Sequence, residues 1–233
     1  MSRSTYWSNG VPSGFELMKY ERSKKPDVFD NFCEGYLWET LQKEDPEQAM
    51  TIKDAESCFI LRGEVDDQPD LNYFRDAIGI LTYLADSGGV SIFDPHMFKW
   101  WRIDEWKPKA FMDHEAYPRH HVVILFSDEP DGQWFHTRGM RKFGRSDLSM
   151  YKVMPEIRNG VIEMFNRFIE FQAFGGIIEE GNEIRMEGLP AGLFCHHTGD
   201  LEDPDFNNVH VEIKKAEQSL APDGNSAALR SRW

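Results

Sequence analysis

The sequence predicts an α+β fold: a largely antiparallel sheet with two main helices packed on one face. Three observations lead there. Leu71, Phe74, Ala77, Ile78, Leu81 and Leu84 recur at three- and four-residue steps, the period of a helix with one buried stripe. Ile157, Val161, Met164, Phe165, Phe168, Ile169 and Phe171 do the same across Pro155 to Phe174. Short apolar runs bounded by Gly, Pro and Asp separate these stretches, which is how strands are punctuated. Strand, helix and strand recur on either side of a tryptophan-rich segment. That leaves room for a duplicated β-α-β arrangement, although no sequence repeat links the halves.

In chain order, residues 1–26 are polar and hold Gly10, Pro12 and Gly14, so they read as an irregular arm. Residues 27–215 read as a single α+β domain. Within it, Val28, Phe29, Phe32, Tyr36, Leu37 and Leu41 suggest one amphipathic helix over residues 27–43, weakened by Gly35. Ser57 to Arg62 has the length of a strand. Pro69 and Asp70 suit the start of the first main helix, Ser87-Gly88-Gly89 stops it, and Val90 to Phe93 is strand-like, so residues 57–93 form a candidate β-α-β unit. His121 to Ser127 (HVVILFS) is a continuous apolar run that predicts a strand buried on both faces. Asp128 to Gly132 is a turn, because Pro, Asp and Gly preset its angles, and Gln133 to Thr137 returns as the second arm of a hairpin. After the second main helix, ended by Gly175-Gly176, come three short strand candidates: Ile184 to Met186, Leu193 to His197 and Val209 to Ile213. The polar stretch 216–233 reads as a flexible tail.

Composition limits the function. Of 233 residues 40% are hydrophobic, enough for a sizeable core, and the formal net charge is -14. The acidic excess argues against general nucleic-acid binding and against an anionic membrane surface, and points to a basic protein as partner. Cys33, Cys58 and Cys195 are scattered and lack metal-ligand spacing, which suits a reducing compartment. The N-terminus has no apolar leader and no run is long enough to span a membrane, so a cytoplasmic location is expected. Oligomeric state is not legible.

The stretch WFHTRGMRKFGR, Trp134 to Arg145, stands out. It gathers Arg138, Arg141, Lys142 and Arg145 without an intervening acid. With His136 these residues are the candidate site for an anionic group, since Arg grips phosphate or carboxylate through two parallel hydrogen bonds. Gly139 and Gly144 would let backbone approach closely, and His136 would be the acid-base group. The structural alternative is that the cations pair with surplus acids and brace a bend. Trp100, Trp101 and Trp106 are a candidate partner-binding patch, because Trp is enriched at interface hot spots; the alternative is that they fill the core. His196, His197, His210, Asp200 and Asp203 are ligand types for a metal. Adjacent strand residues face opposite ways and no metal spacing occurs, so no metal is expected. Neither GxGxxG nor a phosphate loop nor GxSxG is present, so no cofactor and no nucleophile is indicated. Asn207 and Asn208 read as turn residues.

Taken together, GGVSIFDP with its Trp-Trp pair, HVVILFSDEP, FHTRGMRKFGR and DPDFNNVHVEI resemble an uncharacterised bacterial domain family over residues 57–213. The resemblance implies a compact α+β domain. More loosely, the chain is similar to proteins that accompany toxin and effector loci as partner or immunity domains. Two functions follow as expectations. The first is a non-catalytic cytoplasmic domain that binds a protein partner, as an immunity-type or accessory protein. The second is an enzyme or small-ligand binder that holds an anionic group at residues 136–145. Convergence of the guanidinium groups in a concave pocket with His136 would favour the second; splaying outward onto acidic side chains would favour the first.

Overall fold

The computed structural model describes residues 14–65, 70–110, 117–203 and 205–215. Its centre is a six-stranded sheet built from β5 (Val123–Glu129), β6 (Gly132–Arg138), β7 (Asp147–Val153), β8 (Glu183–Ile184), β9 (Leu193–Thr198) and β10 (His210–Lys215), in the order β5-β6-β7-β10-β9-β8. Every neighbouring pair is antiparallel except β7 and β10, which run parallel with His210 opposite Asp147. A parallel pair needs a long crossover, and here it contains helix α6 (Arg158–Ala173).

Alternation along these strands decides the core. Phe135, Leu148, Met150, Leu193, Cys195, Val211 and Ile213 face α6 and meet Val161, Met164 and Phe165. Val161, Leu148 and Phe165 are fully buried, each adding roughly 1.5–3 kcal/mol over an exposed side chain. One turn further on, Ile169 and Ala173 of α6 enter a second cluster with Leu71, Phe74, Ile78, Trp101 and Trp106. The helix therefore joins two cores. Pro155 opens a short 3-10 turn, Pro155–Ile157, just ahead of it.

The α+β class and the mostly antiparallel sheet are as the sequence predicts, and several details differ. Helix α4 (Asn72–Asp86) packs in the second cluster, whereas α6 alone supplies the helical side of the sheet core. Residues 57–93 do not form a β-α-β unit. Strand β2 (Ser57–Gly63) pairs antiparallel with β1 (Phe15–Glu21), while β3 (Ser91–Asp94) pairs with β4 (Lys99–Arg102) in a separate hairpin. So part of the expected N-terminal arm is a strand; residues 1–13 lie outside the described residues, as does the expected tail at 216–233. The single helix expected over 27–43 breaks at Cys33 and Glu34 into α1 (Pro26–Phe32) and α2 (Gly35–Glu44). Helix α3 (Pro46–Lys53) follows, capped by the Asp45 carboxylate, which accepts from the Gln48 N–H at 3.0 Å.

Strand β5 is an edge strand, not one buried on both faces. Its apolar run lies where the two cores meet: Val122 and Val123 serve the second cluster, Ile124 serves both, and Phe126 is 59% exposed.

Of the three tryptophans in the expected patch, Trp101 and Trp106 are core residues and Trp100 is half-buried. Trp101 and Trp106 are each 2% exposed and pack edge to face at 5.6 Å; Trp106 Nε1 donates to Thr82 Oγ1 at 2.8 Å. Trp100 lies against Phe93 and Trp38, at 4.5 and 6.0 Å between centroids. The expected surface patch is therefore absorbed into the packing between the β3–β4 hairpin, α4, α2 and α5 (Ile103–Lys109).

Between β6 and β7 the basic stretch makes a tight 3-10 turn, Met140–Phe143, bounded by two glycines at positive φ. Met140 and Phe143 are its anchors, 0% and 4% exposed in the second core. At Gly139, φ is 122° and a β-carbon would lie 2.6 Å from the carbonyl oxygen of His121. Gly144, at φ 63°, has nothing within 4 Å of such a carbon. The two glycines thus answer to different constraints, and their substitutions separate. Gly139→Ala is expected to cost about 3 kcal/mol or more, from strain and overlap together. Gly144→Ala should cost only about 1–2 kcal/mol, and Gly144→Asn less. Urea denaturation of the three variants measures the difference.

Candidate functional site

Side chains at alternate positions on the sheet face away from α6 form a second surface. They are Leu125, Ser127 and Glu129 on β5; Trp134, His136 and Arg138 on β6; Ser149 and Tyr151 on β7; and His210 and Glu212 on β10. The loop before β10 folds onto this face and places Phe206, 6% exposed, over its middle.

Rings dominate the surface. Trp134 stands between Tyr151 and His136, at 5.1 and 4.1 Å and near parallel to both, and its Nε1 donates to Ser149 Oγ at 2.9 Å. Phe206 meets Trp134 and His136 edge-on at 5.9 and 5.5 Å and stacks on His210 at 3.9 Å. The imidazoles are components of this stack. His136 is 8% exposed and its Nδ1 has no hydrogen-bond partner among the described residues. His210 Nδ1 likewise lacks one and lies 3.9 Å from Asp203 Oδ2.

The five residues expected to hold an anion do not converge. His136 and Arg138 share this face. Lys142 turns away to a buried ion pair with Asp94, whose Oδ1 also accepts from the backbone N–H groups of His96 and Met97 at 3.0 and 3.2 Å. Arg141 Nη1 donates to the carbonyl of Asn207 at 2.7 Å, to its Oδ1 at 2.9 Å and to the carbonyl of Leu201 at 3.3 Å. Arg145 Nε donates to the Gln172 carbonyl at 3.2 Å, in the last turn of α6, where a cation complements the helix dipole. Three of the four cations are thus committed to the chain's own acceptors. Arg138 differs. It is 6% exposed, its guanidinium carbon stands 3.9 Å from the Phe98 ring centroid, and it forms no hydrogen bond to a described residue. Burial lowers its pKa, opposed by Asp147, Asp205 and Asp203.

Asp147 organises this end of the sheet. It is 1% exposed and accepts from Thr137 Oγ1 at 2.9 Å, Asn208 Nδ2 at 2.8 Å and the Met140 N–H at 3.3 Å. Burial raises its pKa to about 6 against these donors. Asn207 takes a left-handed turn conformation, as expected of it, whereas Asn208 is a buried tie that also donates to the Arg145 carbonyl at 2.9 Å.

The histidine-acid group also disperses: His196 pairs with Glu180 at 2.8 Å, and His197 Nε2 contacts the Ile178 carbonyl at 2.7 Å. Among the described residues no group of three or more His, Cys, Asp or Glu is placed to hold a metal ion. A shallow groove of about 620 Å³ lies elsewhere, lined by Arg167, Glu170, Phe171, Phe174, Gly175 and Gly176, and contains none of these residues. Sequence reasoning missed Trp134, Tyr151 and Phe206 as neighbours of His136. The spacing of Trp134, His136 and Arg138, each two apart, was the available signal for a shared face. Comparison with family models, with curated proteins and with solved structures finds no match.

Buried imidazoles give this arrangement a pH signature. Burial pushes His121 down to about 3, and burial with the Arg138 charge pushes His136 down to about 4. A free imidazole titrates near 6.5, so between that value and about 4 the unfolded chain binds more protons than the folded one. Stability is therefore complete above pH ~6.5 and falls as pH drops toward 4. Asp147 acts oppositely, regaining stability as pH falls through about 6, but it is one group against two. The urea midpoint should be lower at pH 4.5 than at 7.5, and His136→Gln should flatten the dependence.

Proposed function

We propose that this is a non-catalytic, partner-binding domain of the immunity or accessory kind, acting in the cytoplasm on a basic protein. The observation that carries the reading is the internal commitment of Lys142, Arg141 and Arg145, which removes them as an anion receptor. What remains for a partner is the acidic excess, -14 in formal charge. Such a field accelerates encounter with a cationic surface more than it deepens affinity. No helix among the described residues is long and apolar enough to cross a membrane.

Arg138 favours a second reading. It is 6% exposed and its guanidinium makes no ion pair among the described residues, so beside His136 it could take a small carboxylate or phosphate. Asp147, Asp203 and Asp205 oppose an added anion there, which is why this reading ranks second.

Two measurements separate them. A fluorescent hexa-arginine peptide should bind the full chain, with an association rate that falls steeply from about 0.01 to 0.15 M salt as screening shortens; a glutamate hexamer should not bind. Inorganic phosphate or acetate should leave the thermal midpoint unchanged at matched ionic strength. A phosphate-induced rise that disappears in Arg138→Met, in a variant that still unfolds cooperatively, would establish the small-ligand reading instead.

A further inference from the structure

We propose that the open face of Tyr151, backed by Trp134, is the docking point for an arginine or lysine side chain of that basic partner. This deepens the partner-binding reading and rests on it. Tyr151 is 44% exposed, yet its ring is held in place by parallel stacking on Trp134 at 5.1 Å, with His136 behind. Trp134 is fixed in turn by its hydrogen bond to Ser149. One ring face therefore points outward on a rigid three-ring stack, the arrangement that receives a cation over the π surface with little ordering cost.

The charges around it select the sign. Glu129 lies on the same sheet face by strand alternation, opposite Gly132 at the hairpin end of β6. Asp205 directly precedes Phe206, whose ring touches Trp134. Glu212 is on β10 opposite Ser149. These three, with Asp203, all act on the Tyr151 phenol and hold its proton more tightly, after burial itself. Two of the four carboxylates already have company. Glu212 pairs with Lys214 at 3.2 Å, and Asp203 accepts from the backbone N–H groups of Asp205 and Phe206 at 2.9 and 3.1 Å. Among the described residues Glu129 accepts from the Ser127 hydroxyl at 3.3 Å and has no salt bridge, and Asp205 acts on the Arg138 guanidinium without forming a direct ion pair. A guanidinium or ammonium stacked on Tyr151 would meet those two carboxylates. An anion would meet all four, and a neutral apolar group would bury them unpaired.

The test uses the full chain and the same labelled hexa-arginine peptide, with a hexa-citrulline peptide as its uncharged near-isostere. The citrulline peptide should not bind. Tyr151→Ala should weaken hexa-arginine binding about twofold to fivefold, the range of an exposed cation–π contact, while Tyr151→Phe keeps it. Glu129→Gln with Asp205→Asn should weaken it at least as much. Glu39→Gln with Glu44→Gln on α2 removes the same net charge elsewhere and should have a smaller effect. Binding unchanged in Tyr151→Ala, or equal losses in the two charge-removal pairs, overturns this docking point while leaving a basic partner in place. No binding by the unaltered chain overturns both. Tyr151 is exposed, so thermal midpoints near that of the unaltered chain are expected and check that folding is intact.

Discussion

A single buried carboxylate ties this molecule together. Asp147 collects a hydroxyl from β6, a backbone N–H from the basic turn and an amide from the loop before β10. Thr137, its hydroxyl partner, itself accepts from the Leu148 N–H at 2.8 Å. The end of β6, the basic turn and the start of β7 are thereby locked at one point to the distant loop before β10, where burial would otherwise penalise the charge. Leaving any of these donors unsatisfied would cost about 1–3 kcal/mol, so the positions of the turn, of β7 and of the incoming loop are mutually enforced. The lock lies at the start of the parallel pairing of β7 with β10, whose long connection supplies no local register.

The basic turn is best understood from that lock outward. Its apolar members, Met140 and Phe143, fasten it in the second core, while three of its cations reach separate parts of the chain. Lys142 holds the β3–β4 hairpin through Asp94, Arg141 holds the loop at Leu201 and Asn207, and Arg145 holds the end of α6. A short basic segment in an acidic chain acts as a hub because acceptors surround it. Arg138 and His136 escape that role by lying on the strand, where alternation turns them to the open sheet face.

Much of the fold was legible because the relevant signals were local. The stripes of α4 and α6 follow one period over many residues, and the turn at 130–131 carries its own chemistry. What was lost depended on partners far away. β1 is polar in its flanks and becomes a strand only through β2. β7 alternates Leu148 and Met150 with Ser149 and Tyr151, but the neighbouring cations drew attention to a bend rather than a strand. The apolar run of β5 reads as doubly buried because sequence shows that a residue is apolar, not which of two cores it serves. At the site, the common face of His136 and Arg138 follows from their spacing. The fates of Arg141, Lys142 and Arg145 do not, since their acceptors at Asn207, Asp94 and Gln172 lie 27 to 66 residues away.

The two rims of the main sheet are unequal. One is the seven-residue β5; the other is β8, only two residues long. Sheet growth by strand addition needs a donor rim and an acceptor rim on every molecule. In this sheet β5 is the long rim, while β8 covers only the first two residues of β9. A symmetric pair closes a strand-to-strand contact, whereas a fibre requires a heterologous one that repeats. The short far rim therefore offers an added strand far less backbone to pair with than β5 does.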